Sequence, residues 1–282
     1  MQLGVMFGLL AMLSWGAADF IAAWAIRQEG TFKTLFWSHI ISMVLCIGAY
    51  MALFGGTAIA STNVIMGIGA GLLGIMAYMF FYKGLEVGEA SVITPISGCW
   101  VIVTVLIGIV VYGQTFTMLQ MTGIGLAIMG SIATSLRLSD IRASKRIAHG
   151  IHYAVLTVLV AGVFYSSLDA LTGQMGWFLP IVLIKSAGAL ALLAYAPLGN
   201  KKLSFPRSSV IPVLLVGTLE VVAYLAFSRG VHAQYSVIVA PICAAFPVVT
   251  ILLSQRYLGE RMALHQKAGV VALLSGVVML SL

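Results

Sequence analysis

The chain is short of charge. Only 8% of its 282 residues are Asp, Glu, Lys or Arg, against about 25% in an ordinary soluble domain. With 61% hydrophobic residues and a mean hydropathy of +1.08, that scarcity excludes a water-exposed globular fold. Cysteine is scarce too: Cys46, Cys99 and Cys243 are odd in number, fall inside apolar runs and show no metal-ligand spacing. They read as small hydrophobes, not as disulfides or a zinc site. The sequence has no phosphate-binding glycine loop, no HExxH and no low-complexity tract, and His39, His149, His152, His232 and His265 form no set of ligands. Those absences argue against a nucleotide-driven machine and against an intramembrane hydrolase. No cofactor is called for, and any energy input is expected from protons or substrate exchange. The start of the chain lacks a basic region before its first apolar run and carries Asp19 in the second half of that run, so it reads as mature sequence and not as a cleaved leader.

What the chain has in abundance is apolar runs of about 20 residues, the length of a helix that crosses a bilayer core. Ten are expected, at 3–26, 33–54, 64–82, 91–112, 117–137, 149–172, 179–199, 210–228, 237–258 and 263–281. They do not alternate polar with apolar, as strands of a membrane barrel would.

The runs repeat. The stretch AYMFFYKGLEVGEASVITPISGCWVIVTVLIGIVVYG from Ala77 to Gly113 returns 146 positions later, without a gap, as AYLAFSRGVHAQYSVIVAPICAAFPVVTILLSQRYLG from Ala223 to Gly259. Tyr78, Phe81, Gly84, Pro95 and Thr104 meet Tyr224, Phe227, Gly230, Pro241 and Thr250, and Lys83 is answered by Arg229. At the same offset Gly4 and Gly16 meet Gly150 and Gly162, and Gln120, Gly123 and Gly130 meet Gln266, Gly269 and Gly276. The expected organisation is therefore a first five-helix unit over 1–137, a linker over 138–148 and a second unit over 149–282. Five spans are odd in number, so the second unit must enter the membrane from the opposite side. The fold class expected is an all-α integral membrane protein of ten transmembrane helices in two inverted repeats.

Loop charge tests this independently. Of the 15 basic residues, 13 flank the loops after spans 1, 3, 5, 7 and 9: Arg27, Lys33, Lys83, Arg137, Arg142, Lys145, Arg146, Lys201, Lys202, Arg207, Arg256, Arg261 and Lys267. The other face has Arg229, and Lys185 lies within a span. The positive-inside rule then puts both termini outside the cytoplasm, in a multi-pass protein of the inner (plasma) membrane. The same placement of basic residues between apolar runs argues against a nucleic-acid partner.

Ionisable residues inside hydrocarbon cost a few kcal/mol each and read by default as functional. Five qualify here: Asp19, His39, Asp169, Lys185 and Glu220. Glu220 has Tyr224 and Phe227 at i+4 and i+7 on one helical face, and its repeat partners are Gly74, Tyr78 and Phe81. A pocket at a pseudo-twofold axis would carry such residues. The competing reading is that Glu220 is held by a structural partner such as Lys185. Asp19, one turn after Trp15, sits at a depth similar to that of His39, and Asp169 similarly to Lys185. Two ion pairs, one at each mouth, would suit gating; helix stapling explains them equally well. Lys83 and Arg229 end their helices in mirrored positions and read as snorkelling residues. Pro247 lies deep in span 9 and is expected to kink it, and glycines at 67, 71, 74, 123 and 130 allow close helix contact.

With SWGAADF in span 1, YKGLEVGEASVITPI around spans 3 and 4, and LGERMALHQKAGVVALLSGV at spans 9 and 10, the chain resembles the EamA-type branch of the drug/metabolite transporter superfamily over nearly its whole length. In the second copy the small residue and glycine before the serine are replaced by Gln234 and Tyr235. The resemblance implies a secondary transporter with its cavity between spans 1, 3, 4, 6, 8 and 9, often an exporter of amino acids or other small metabolites. The expected function is alternating-access transport of a small polar metabolite, an amino acid or a related zwitterion or organic cation. The bilayer and the small-molecule substrate are its expected partners, and the oligomeric state is left open, a monomer being compatible with this reading. Substrate-binding or coupling residues are expected at Glu220, Tyr224, Tyr78, Trp15, Asp19, Phe227 and Phe81, and gate or ion-pair residues at His39, Asp169 and Lys185. A lipid flippase is the alternative, and a membrane enzyme a more distant one.

Overall fold

In a computed structural model the described residues are 2–55, 61–87, 90–115, 117–135, 145–234, 236–258 and 263–281. They form helices α1 (Gln2–Glu29), α2 (Thr31–Phe54), α3 (Ser61–Val87), α4 (Ala90–Gly98), α5 (Trp100–Val110), α6 (Met118–Ser135), α7 (Lys145–Met175), α8 (Leu179–Leu198), α9 (Val210–Ala233), α10 (Ser236–Cys243), α11 (Phe246–Leu258) and α12 (Leu264–Ser281). Six helices, α1, α2, α3, α7, α8 and α9, are long and apolar enough to cross a membrane. Shorter apolar segments are Ile96–Val110, Met118–Gly130 and Ile238–Leu253. Residues 138–144 of the expected linker and Arg261 lie outside the described residues, and α7 already includes Lys145.

Large apolar side chains face outward along helix after helix: Leu53, Ile65, Val110, Leu190, Ile211 and Val271 are each at least 64% exposed. A surface so apolar is incompatible with water and suited to lipid. The interior holds the aromatic rings and small residues, with Trp15, Phe164, Tyr224 and Phe227 all under 5% exposed.

Spans 4 and 9 are each broken, and at equivalent places. α10 ends at Cys243 and α11 begins at Phe246. Pro247 has no N–H for the Cys243 carbonyl four residues back, and at the second position of a new helix that missing donor costs nothing. The chain crosses the gap with tight i→i−3 bonds, Ala245 N–H to Ile242 and Val248 N–H to Ala245. The expected kink at Pro247 is thus a break just before it. Span 4 was expected to be continuous, yet it breaks between Gly98 and Trp100, with Cys99 N–H bonding back to Ile96. Its position equivalent to Pro247 is Val101, so here Gly98, a weak helix former, marks the end.

Contacts between the halves come in reciprocal pairs. The Thr104 hydroxyl donates to the Gly162 carbonyl at 3.2 Å, and the Thr250 hydroxyl to the Gly16 carbonyl at 3.0 Å. Each glycine is there because the helices touch: a Cβ on Gly162 would lie 2.3 Å from Val103 Cβ, and one on Gly16 2.4 Å from Val249 Cβ. α6 and α12 behave alike, Gly130 lying against Gly269 and Leu273 and Gly276 against Gly123 and Ala127. An i-to-j contact mirrored as j-to-i is the signature of a twofold relation. On the axis itself a residue meets its own equivalent. Gly98 abuts the Ala244 carbonyl, Tyr78 hydrogen-bonds Tyr224, and His39 lies against α8 beside Lys185 and Gly188.

Candidate functional site

The axis passes through a pocket that takes in about 490 Å³ of space, open solvent included. α1 contributes Trp15 and Asp19, and α3 contributes Gly74, Ala77, Tyr78 and Phe81. Ser97 lies one residue before the end of α4 and Trp100 starts α5, on either side of one break; Phe246 starts α11 beyond the other. α7 adds Thr157, Ala161, Phe164 and Tyr165, and α9 adds Tyr224. These belong to the six spans that the family resemblance implies. The breaks let Trp100 and Phe246, equivalent by the repeat, face the same space.

The walls are mostly aromatic and locked together. Trp100 stacks on Tyr165 at 3.9 Å between centroids, and Trp15 meets Tyr165 and Tyr224 edge-on at 5.6 and 5.3 Å. The Tyr224 hydroxyl shares hydrogen bonds with Tyr78 and Tyr165. Phe227, 0% exposed, backs this cluster 5.8 Å from Trp15 and does not reach the cavity.

Glu220 is not a lining residue either. Its Oε2 lies 2.7 Å from Lys185 Nζ, with the side chains 2% and 1% exposed. The ammonium sits 4.3 Å from the Tyr224 ring centroid and 5.9 Å from that of Tyr78, so the ion pair lies behind the tyrosines and braces them. This corrects the expected pairing: Lys185 belongs to Glu220, not to Asp169, and Asp19 and His39 make no ion pair. His39 packs on α8 instead, its Nε2 occupying the space that a side chain at Gly188 would take.

Asp169 instead accepts a hydrogen bond from Gln114 Nε2 at 3.2 Å, and the Ser236 hydroxyl donates to Gln114 Oε1 at 3.4 Å. Nearby, the hydroxyls of Thr172 on α7 and Ser228 on α9 meet at 2.9 Å, fully buried. These bonds tie α5, α7, α9 and α10 together at one end of the bundle. At the other end the equivalents of Asp169, Ser236, Thr172 and Ser228 are Ala23, Ala90, Ile26 and Tyr82. Two alanines and an isoleucine cannot make such bonds, and the buried Tyr82 hydroxyl has no hydrogen-bond partner among the described residues. That end is held instead by the Thr31 hydroxyl donating to the Tyr82 carbonyl at 3.4 Å and the Ser209 hydroxyl donating to Gln28 Oε1 at 2.8 Å, so the two ends are fastened differently.

Asp19 is 8% exposed, lines the cavity and has no hydrogen-bond or ion-pair partner among the described residues. Trp15 Nε1 and Ser97 Oγ, both on lining residues, are likewise buried without partners. Elsewhere Lys83 does not end its helix: it pairs with Glu86 at 3.0 Å while α3 continues to Val87. The Arg229 guanidinium lies 5.9 Å from the Phe7 ring and 5.8 Å from that of Trp177.

Of the residues singled out from the sequence, the cavity gathers Trp15, Asp19, Tyr78, Phe81 and Tyr224. It adds Trp100, Tyr165, Phe164, Phe246, Ser97 and Thr157. The repeat held a signal for one of them: carrying Asp19 forward by 146 positions lands on Tyr165.

A profile of the EamA-like transporter family matches the chain twice, over residues 2–136 and 148–282. An uncharacterised protein of Methanocaldococcus jannaschii is 26% identical over 137 residues, 98% of that protein and 48% of this chain. A solved crystal structure superposes with a TM-score of 0.79 at 16% identity, covering 98% of this chain and 95% of the other; at that identity the likeness is one of fold.

Proposed function

We propose that this chain, which belongs to the EamA-like transporter family, is a secondary carrier that moves a small polar metabolite outward by alternating access around the aromatic cavity. The observation that carries this reading is the cavity itself: it draws on both halves, straddles their pseudo-twofold axis and holds an unpartnered carboxylate. Ten spans in two oppositely inserted units, each of spans 4 and 9 being a broken helix, are the arrangement this requires. Trp15, Asp19, Tyr78, Phe81 and Tyr224 contact the substrate. The Glu220–Lys185 pair, with Phe227 behind, positions the tyrosines and transmits their movement.

The asymmetric fastening supports a conformational assignment. With the basic loops cytoplasmic, the Gln114, Asp169, Ser236 and Thr172–Ser228 bonds lie at the extracytoplasmic end, and the cavity residues Asp19, Ser97 and Thr157 lie toward the cytoplasm. The structure then corresponds to a carrier shut on the outside. Outward movement requires these polar bonds to open while Ala23, Ala90, Ile26 and Tyr82 close.

The test is reconstitution of the full-length protein in liposomes with a panel of labelled amino acids, amines and organic acids. Saturable exchange of at least one member, abolished by Tyr224→Ala, is the expected result. Absence of movement for the whole panel, with the protein folded, contradicts a carrier of small polar metabolites.

A further inference from the structure

We infer that the substrate is an organic monocation with an aromatic or otherwise apolar body, its cationic group seated against Asp19. This deepens the carrier reading and rests on it. Among the described residues that line the cavity, Asp19 is the one acid, and none is Lys, Arg or His. The nearby cation that could alter this balance is Lys185, but its charge is committed to Glu220 at 2.7 Å, behind the Tyr224 ring. The one titratable group, tyrosine hydroxyls apart, that the described lining offers a ligand is therefore that carboxyl.

Each class of ligand meets that charge differently. An anion is repelled by it. A zwitterion satisfies Asp19 with its ammonium, but its own carboxylate then lies among aromatic rings with no cation to receive it. Burying an unpaired charge in such surroundings costs several kcal/mol. A neutral ligand leaves Asp19 uncompensated. A monocation pairs with Asp19 and gains from the faces of Trp15, Trp100, Tyr165 and Tyr224. The unpartnered Trp15 Nε1 and Ser97 Oγ would meet a hydrogen-bonding group on the ligand. Trp15 precedes Asp19 by one helical turn on the same face of α1, so donor and carboxylate reach the ligand together.

Three probes isolate charge at constant ring and hydroxyl: tyramine (+1), tyrosine (zwitterion) and 4-hydroxyphenylacetate (−1). Binding to the purified full-length protein is read by calorimetry and by fluorescence of the lining tryptophans. The expected order is tyramine tighter than tyrosine by at least ~10-fold, with 4-hydroxyphenylacetate weakest. Asp19→Asn brings tyramine down to the level of tyrosine, and Asp19→Glu keeps the order of the three, which holds the test open should the Asn variant fold poorly. Tyrosine binding as tightly as tyramine, or a tyramine preference that survives Asp19→Asn, overturns the inference. Binding of none of the three also overturns it. The liposome panel separates the two levels, since movement of any other metabolite leaves the carrier reading standing, and movement of none removes both.

Discussion

Lys185 Nζ and Glu220 Oε2 stand 2.7 Å apart in the buried interior, and the repeat equivalents of these two residues are His39 and Gly74. The ion pair exists in one half only. It breaks the chemical symmetry of the fold beside the symmetric tyrosine pair Tyr78 and Tyr224. Removing one partner leaves a buried charge alone, which costs about 3–5 kcal/mol. Glu220→Gln and Lys185→Met are each expected to lower thermal stability in detergent sharply, and Glu220→Leu combined with Lys185→Met to recover most of it. A single Glu220→Gln variant as stable as the native protein would show that Lys185 has another partner.

The reciprocal threonine bonds make a quantitative prediction about the two halves. Thr104→Val and Thr250→Val each remove one buried hydrogen bond, so each is expected to cost about 0.5–1.5 kcal/mol, with similar values in unfolding titrations. Gly16→Ala and Gly162→Ala place a methyl against both a valine and a helix carbonyl at 3.0 Å or less. They should cost more, about 1–3 kcal/mol. A glycine variant without effect would mean that the α1–α11 and α5–α7 contacts are looser than described.

Topology follows from charge placement: both termini are expected on the extracytoplasmic side. A C-terminal reporter fused after Leu282 should be active in its periplasmic form and silent in its cytoplasmic form. The reverse pattern would invert the assignment of open and closed ends.

The extracytoplasmic fastening is expected to set the balance between conformations. Gln114→Ala removes the bonds that Gln114 makes to Asp169 and Ser236 and should raise labelling of the outer end of α9 by impermeant thiol reagents, read at Ser228→Cys. Unchanged labelling would mean that these bonds do not hold the mouth shut.

Much of this was legible in the chain. The ungapped repeat announced the pairing of Tyr78 with Tyr224, and the equivalence of Gly16 and Gly162, which make mirrored contacts with α11 and α5. Intramembrane charge drew attention to Asp19 and Glu220, but not to their different roles. Depth along a helix can be read from sequence, whereas azimuth around a broken, packed helix depends on its neighbours. For that reason Lys185 was offered two partners, Asp169 and Glu220, of which the structure takes Glu220, and the reading of Glu220 as a pocket residue gave way to the competing structural one. Trp100, Tyr165 and Phe246 were hidden because an aromatic residue in an apolar run looks the same whether it faces lipid or cavity. The break in span 4 carries no proline, so only its partner's Pro247 hinted at it.

In an alternating-access carrier the cavity is reached from one aqueous side at a time. In a cysteine-free background, Thr157→Cys is labelled with a membrane-impermeant maleimide applied separately from each side of oriented vesicles. Reaction is expected from the cytoplasmic side alone in the resting protein, with protection by bound substrate, and from the outer side once Asp169→Ala and Ser228→Ala open the fastening. A Thr157→Cys variant that stays unreactive from both aqueous sides, yet reacts with a lipid-soluble maleimide, would contradict an aqueous pathway and favour entry from the bilayer.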